Sequence, residues 1–163
     1  MRITQWGEYG VHCCCYIAAR HAAGHHTVSA SEISEVQAID ILYAQQILQK
    51  LRRGGLVNSV RGPQGGYKLS RNPNEITLLD VLKVCEGDSF EIICESKPLD
   101  MERCNASRFC SLRPIWYKFK NHIDHFLSGY TIQDLVDSAS EADVPVKIGG
   151  EHPAQSTALK PLP

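Results

Sequence analysis

Residues 56–69 read Leu56-Val57-Asn58-Ser59-Val60-Arg61-Gly62-Pro63-Gln64-Gly65-Gly66-Tyr67-Lys68-Leu69. Two short apolar segments flank a glycine-rich turn, and this pattern predicts a β-hairpin. A helix predicted from Tyr43 to Arg53 comes directly before it. Winged helix-turn-helix proteins use this order to place a helix in the DNA major groove and the hairpin, called the wing, over the neighbouring backbone. The stretch therefore predicts a DNA-binding fold.

The charge of this region supports the same prediction. The stretch Ile41 to Asn74 has six basic side chains and no acidic one, although the whole chain of 163 residues has a formal net charge of −1. Positive charge is therefore concentrated in one place, where it produces a local positive field. A solvated basic face without a partner would have the same charge, but the adjoining hairpin favours DNA. The basic residues are Lys50, Arg52, Arg53, Arg61, Lys68 and Arg71.

Helices are predicted on the N-terminal side of the hairpin. The first starts near Thr4, a polar loop runs from Arg20 to Ser31, and a short second helix covers Ser31 to Val36. Asp40 is predicted to cap the third helix. The core face of this third helix would consist of Tyr43, Ile47, Leu48 and Leu51, and its outer face of Gln45, Gln46, Gln49, Lys50, Arg52 and Arg53.

The outer face suggests how DNA is contacted. Gln45 and Gln46 are expected at base edges, where an amide pairs best with adenine. Arg61 is expected in the minor groove or on a phosphate beside the wing. Phosphate contacts are expected from Arg2, Lys50, Arg52 and Arg53, and the predicted DNA-contacting set is completed by Tyr43 and Gln64.

The C-terminal half contains three further predicted helices. One is capped by Thr77 with Asp80 and reaches about Cys85, one runs from Leu112 to Leu127, and one opens at Thr131. The middle helix carries more aromatic residues than a small core needs, which suggests that part of it forms a dimer interface. The predicted fold is mainly α with a small β-hairpin wing. Residues 1–75 would form the DNA-binding domain, 76–138 a cysteine loop with dimerisation helices, and 139–163 a disordered tail.

The cysteines point to metal chemistry. The chain has seven of them and no predicted membrane span or signal peptide, so we expect a cytoplasmic protein with reduced thiols. Within a weakly patterned loop, Cys94, Cys104 and Cys110 have the spacing C-x9-C-x5-C, which suits an iron–sulfur cluster or zinc but requires a fourth donor. Small buried hydrophobic side chains are expected at Cys13, Cys14, Cys15 and Cys85.

Several segments together carry a family resemblance. The start Met1-Arg2-Ile3-Thr4, the run from Gly54 to Leu69, the segment Ile76-Thr77-Leu78-Leu79-Asp80-Val81 and the cysteine loop resemble the BadM/IscR/NsrR type of bacterial transcription regulator. This resemblance covers about residues 1 to 138. It implies a homodimeric winged-helix regulator, usually a repressor, that crosses its long C-terminal helices and holds an iron–sulfur cluster near the dimer interface.

The resemblance also implies a ligand set. Cys94, Cys104 and Cys110 match the three cluster cysteines, with a longer first gap than is usual. In one branch of the family a histidine follows three residues after the last cysteine, but here that position is Arg113. In other branches an acidic residue from the partner subunit completes the site, and Glu8 stands at that position, with His12 as a reserve ligand. A redox-sensing member with a 2Fe–2S cluster, which also uses a glutamate at this position, has a histidine ligand where this chain has Gln37, a poor cluster ligand.

The implied function is a DNA-binding regulator whose operator affinity depends on a 2Fe–2S or 4Fe–4S cluster that responds to redox state, nitric oxide or iron–sulfur status. Two alternatives stay open: a zinc-stabilised winged-helix regulator, and a clusterless regulator that senses through its thiols. We find no phosphate-binding loop, nucleophile elbow or HExxH motif, so an enzyme is not expected.

Overall fold

The computed structural model describes residues 3–88 and 112–141, with side chains up to Ala139. Its elements are α1 (Gln5–Ala22), α2 (Ala30–Gln37), α3 (Ile41–Arg53), β1 (Val57–Val60), β2 (Gly66–Leu69), a 3-10 turn (Pro73–Glu75), α4 (Leu78–Glu86), α5 (Arg113–Ser128) and α6 (Ile132–Glu141). This architecture confirms the predicted, mainly α fold with a small β-hairpin.

Several helices begin where the sequence predicted, each with a polar side chain as its cap. Thr4 caps α1 by accepting a hydrogen bond from the Trp6 amide, and Asp40 caps α3 through the amides of Leu42 and Tyr43. Thr77 and Asp80 form a reciprocal capping box at the start of α4. Each cap satisfies backbone N–H groups that a helix end leaves without a partner.

Two predicted boundaries around the first loop were wrong. Helix α1 runs to Ala22, past the predicted loop start at Arg20. The polar Arg20 side chain lies on the helix because its guanidinium pairs with Glu32 of α2 at 2.8 Å. Helix α2 begins at Ala30 because Ser29 caps it by accepting from the Glu32 amide at 3.0 Å. A polar residue in the sequence does not reveal that its partner lies on another helix.

One buried cluster holds the helices together. Its completely buried side chains include Cys13, Cys14 and Ile17 of α1, Ile33 of α2, Ile47 and Leu48 of α3, Ile76, Val81 of α4 and Ile132 of α6. Ile76 and Ile132 lie after the predicted boundary at residue 75, yet they belong to the same cluster as α1. The division into residues 1–75 and 76–138 stays a prediction.

The wing is anchored to the loop between α1 and α2. Strands β1 and β2 are antiparallel, with Val57 opposite Leu69 and Val60 opposite Gly66. Val28 exchanges two backbone hydrogen bonds with Tyr67, at 2.8 and 2.9 Å. A Cβ atom on Gly66 would lie 2.6 Å from the Val28 carbonyl oxygen, so this close approach requires glycine.

Among the described residues, no helix has both the length and the apolar character needed to cross a bilayer. Helix α5 instead has an exposed apolar surface on which Leu112, Ile115, Phe119 and Phe126 are each about half exposed or more. The predicted disordered tail falls almost entirely on residues 142–163, which lie outside the described ranges.

Candidate nucleic-acid interface and the adjoining junction

The outer face of α3 carries amides and guanidinium groups. Its core face contains Ala44, Ile47, Leu48 and Leu51, all completely buried. On the solvent side Gln45, Gln46, Gln49, Arg52 and Arg53 are exposed, as predicted. Helix α3 has no acidic side chain, so these donors are available to DNA phosphates and base edges.

The wing turn presents a second set of polar groups. Arg61 and Gln64 are both exposed. The Thr27 hydroxyl donates to the Gln64 carbonyl oxygen at 2.8 Å, and the Gly65 amide donates to Gly62 at 2.8 Å. These bonds fix the turn between the strands, because they tie it both to itself and to the loop before α2.

Lys50 makes contacts that its position on the outer face of α3 did not predict. Its ammonium group donates to the carbonyl oxygen of Cys85, in the last turn of α4. The same group lies 5.1 Å from the centre of the Trp6 ring of α1, within the range of a cation–π interaction. Lys50 therefore connects α3 with the end of α4 and the first turn of α1. Its expected phosphate contact stays a prediction.

Glu86 ties the same end of α4 to the start of α1. One carboxylate oxygen accepts from the Thr4 amide at 2.9 Å, the Thr4 hydroxyl at 2.7 Å and the Gly7 amide at 2.7 Å. Partial burial raises the pKa of Glu86, but these hydrogen bonds and the charge of Lys50 outweigh it and lower the pKa below its usual value. Glu86 is therefore a charged cap, supplied by another helix, for the N-terminus of α1.

Small residues let α1 and α4 approach closely here. A Cβ atom on Gly7 would lie 2.6 Å from the Glu86 carboxylate, and one on Gly10 would collide with the sulfur of Cys85. The region in which Thr4, Trp6, Lys50, Cys85 and Glu86 meet is called the junction below. It joins the predicted DNA-reading helix to α1 and to the end of α4.

Glu8 lies beside the junction at the rim of a cavity. The cavity has a volume of about 490 Å³ and is lined by Ile3, Thr4, Gln5, Trp6, Glu8 and Tyr43. Tyr43 is half-buried, with its ring centre 5.0 Å from that of Trp6 and 5.8 Å from that of Tyr9. Glu8 itself is exposed. The predicted ligand position is thus accessible, and an aromatic cluster connects it to α3.

His12 lies one helical turn after Glu8 on α1. Burial lowers the pKa of His12, and the Glu8 carboxylate only partly opposes this effect. The imidazole is therefore neutral at pH 7, which is the form that can donate a nitrogen lone pair to a metal. Its role as a reserve ligand stays a prediction.

Most of the described cysteines have the predicted buried character. Cys13, Cys14 and Cys85 are buried, and Cys15 is partly buried. Burial raises the pKa of the Cys13 and Cys15 thiols to about 12 and that of Cys85 to about 11. These groups remain protonated at neutral pH, so they are poor metal ligands and poor nucleophiles.

The predicted site residues fall into three groups. Arg2, Cys94, Cys104 and Cys110 lie outside the described residues. Tyr43 lines the same cavity as Glu8, and Lys50 lies in the junction. The exposed positions on α3 and the wing turn are those of Gln45, Gln46, Arg52, Arg53, Arg61 and Gln64. Within residues 3–88 and 112–141, no three His, Cys, Asp or Glu side chains are grouped to hold a metal ion.

Glu86 and Leu42 were not predicted from the sequence as site residues. Glu86 was not singled out, since no local signal indicates a partner 82 residues away. Leu42 is 64% exposed on α3, and the 3.6-residue period of the helix would have placed it on the outer face. Gln37 is buried at the end of α2, and its amide oxygen has no hydrogen-bond partner among the described residues.

A helix with an amide-rich and cationic outer face, followed by an anchored wing, defines the class as a winged helix-turn-helix DNA-binding protein. Residues 3–138 match the family model described as "Rrf2: Iron-dependent Transcriptional regulator". The chain therefore belongs to the Rrf2 family of transcription regulators and is homologous to IscR.

Individual relatives agree with this assignment. The HTH-type transcriptional regulator IscR of Photorhabdus laumondii is 32% identical over 144 residues, which cover 88% of this chain and 84% of that protein. The T. potens IscR structure has a TM-score of 0.67 and 32% identity and covers 88% of this chain and 92% of its own. CymR, described as the global cysteine regulator of B. subtilis, has a TM-score of 0.66 and 26% identity over 85% of this chain and 98% of its own.

Proposed function

We propose that this DNA-binding regulator controls its operator through an iron–sulfur cluster held by Cys94, Cys104, Cys110 and Glu8. The cysteine spacing, the family description as iron-dependent and the homology to IscR support the proposal. When bound, such a cluster supplies an iron centre whose oxidation state or integrity changes with oxygen, nitric oxide or cellular redox state.

The chemistry of the available donors favours this ligand set. The cysteines at 13, 14, 15 and 85 are protonated and belong mainly to the core, so thiolate ligands are expected from the segment between α4 and α5. Glu8 is exposed, so its carboxylate is accessible to a cluster. A carboxylate is a weaker match than sulfur for cluster iron, so Glu8 would be the labile ligand. His12 is the reserve donor.

The junction is the observation that carries the proposed coupling. Glu86 ends α4, and the chain reaches Cys94 eight residues later. The same glutamate caps the first turn of α1, close to Glu8, while Lys50 connects α3 to the Cys85 carbonyl. A change in the position of the cysteine segment or of Glu8 would therefore act on the orientation of α3. Cluster binding and operator binding are then thermodynamically linked, and the linkage is reciprocal.

On DNA, Gln45 and Gln46 would contact base edges, and Arg2, Arg52 and Arg53 would contact phosphates. The wing would add Arg61 and Gln64. The exposed apolar surface of α5 would pair with the same surface of a second copy, and Glu8 of the partner subunit would then complete each cluster site. A two-fold dimer of this kind predicts an operator with two related half-sites.

Anaerobic purification followed by iron and sulfide analysis tests the proposal. We expect a brown protein whose visible absorption and operator affinity both change on exposure to air or nitric oxide. Glu8→Ala should uncouple affinity from these treatments, whereas Glu35→Ala, which removes an exposed acid on α2, should respond as the wild type does. Colourless, iron-free protein that still binds its operator normally would contradict the proposal.

A thiol-sensing regulator is the second candidate, because a Staphylococcus aureus relative was crystallised as "CymR oxidized form" and matches with a TM-score of 0.61 and 28% identity. Since burial keeps Cys13, Cys14, Cys15 and Cys85 protonated, the reacting thiols would be Cys94, Cys104 and Cys110. Mass spectrometry of the oxidised protein would then show a disulfide among these three. A colourless protein with stoichiometric zinc would instead identify the zinc-stabilised alternative.

A further inference from the structure

Leu42 interrupts an otherwise polar surface on α3. Successive residues of an α-helix are about 100° apart, so residues spaced by three and four lie on one line. Opposite the buried side of α3 this line consists of Leu42, Gln46, Gln49 and Arg53, and all four are exposed. Leu42 is the apolar member of the line, with 64% of its surface exposed.

A single exposed leucine on a protein surface needs no explanation. The position of Leu42 is more informative than its exposure. It follows the Asp40 cap directly and so lies in the first turn of α3. In helix-turn-helix proteins the N-terminal residues of the recognition helix contact the base edges. Leu42 therefore lies at the end of α3 that helix-turn-helix proteins use to contact base edges.

The major groove contains one apolar group that an aliphatic side chain can recognise, the 5-methyl group of thymine. The other groups on the base edges are hydrogen-bond donors and acceptors, which leucine cannot satisfy. Gln46 lies one turn further along the same line, and its amide is suited to adenine. The pair thus favours A·T base pairs at neighbouring positions of each half-site.

We propose that Leu42 is a specificity-determining residue that packs against the 5-methyl group of a thymine in the operator. This role rests on α3 being the DNA-reading helix of the family fold, and it is independent of the cluster. Leu42 would then distinguish thymine from any base without that methyl group, including uracil.

The experiment starts from an operator selected by the full-length protein from random duplexes of about 30 base pairs, three helical turns. Each thymine of the selected duplex is then replaced singly by deoxyuridine, which removes only the methyl group. Wild-type protein should bind about fourfold more weakly when the contacted thymine is replaced, as expected for the loss of one buried methyl group.

The variants connect that loss to one side chain. Leu42→Ala should bind the thymine and uracil duplexes equally, whereas Leu42→Met, which keeps an aliphatic contact, should retain most of the difference. Gln45→Ala is the matched control, because it alters an exposed residue in the next turn and should weaken both duplexes while preserving their ratio. Thermal unfolding of Leu42→Ala should match the wild type, since the side chain is largely exposed.

Two results would overturn the assignment. In one, no single uracil substitution weakens wild-type binding beyond the error of the titration. In the other, Leu42→Ala keeps the fourfold difference, which would assign the methyl contact to another residue. A failure of the wild-type protein to select any duplex is a different result, because it would remove α3 as a reading helix altogether.

Discussion

Replacing Glu86 by glutamine tests the junction most directly. The substitution keeps the size of the side chain and removes its charge, and one oxygen of that side chain accepts three hydrogen bonds from Thr4 and Gly7. Hydrogen bonds to charged groups contribute about 1.5–3 kcal/mol and neutral ones about 0.5–1.5 kcal/mol. Because the site is only partly buried and water screens part of this difference, we expect a loss of about 1.5 kcal/mol.

Urea and thermal denaturation at pH 7 would measure this loss. For a chain of this size, 1.5 kcal/mol corresponds to a decrease of roughly 4 °C in Tm. Hydrogen exchange at the Gly7 amide measures the local effect. This N–H donates to Glu86 and would exchange faster in the variant. Glu75→Gln is the matched control, because it makes the same chemical change at an exposed position on the 3-10 turn.

The effect should also depend on pH in a defined direction. The pKa of Glu86 in the folded protein lies below the ordinary value of about 4.3. Its stabilising contribution is therefore complete above that pH and is lost as the pH falls through the folded-state pKa. The difference between wild type and Glu86→Gln should accordingly shrink below pH 4. If Glu86→Gln unfolds like the wild type at pH 7, as Glu75→Gln should, Glu86 does not hold α1 to α4 and cannot contribute to coupling through the junction.

Three further predictions concern packing, DNA binding and assembly. Gly10→Ala should destabilise the protein by about 1–3 kcal/mol in urea denaturation, because the new methyl group would collide with the sulfur of Cys85. Arg61→Ala should weaken binding to operator and scrambled duplexes similarly and reduce the slope of log affinity against log salt by about one in fluorescence titrations; a selective loss on the operator would assign it a base contact instead. Ile115→Glu, at a position 56% exposed on α5, should give a monomer in light scattering with weakened operator binding if this surface is the dimer interface, whereas an unchanged dimer would exclude it.

The sequence was sufficient for features that depend on neighbouring residues. The turn glycines and flanking strand residues predicted the hairpin, and the Asp40 cap and the spacing of Ile47, Leu48 and Leu51 predicted α3 and its buried face. Their interactions lie within a few residues of one another, so they are visible as local patterns. The family resemblance was likewise carried by contiguous segments, and the match over residues 3–138 confirmed it.

Only the tertiary structure decided how these elements are connected. Lys50 was predicted on the outer face with the other cations, but the end of α4 offers its ammonium group a carbonyl oxygen and Trp6 offers an aromatic face. Glu86 caps a helix that begins more than eighty residues earlier. Such contacts form only after the apolar faces of α1, α3 and α4 have packed together, and that packing determines which polar groups at the helix ends come within hydrogen-bonding distance.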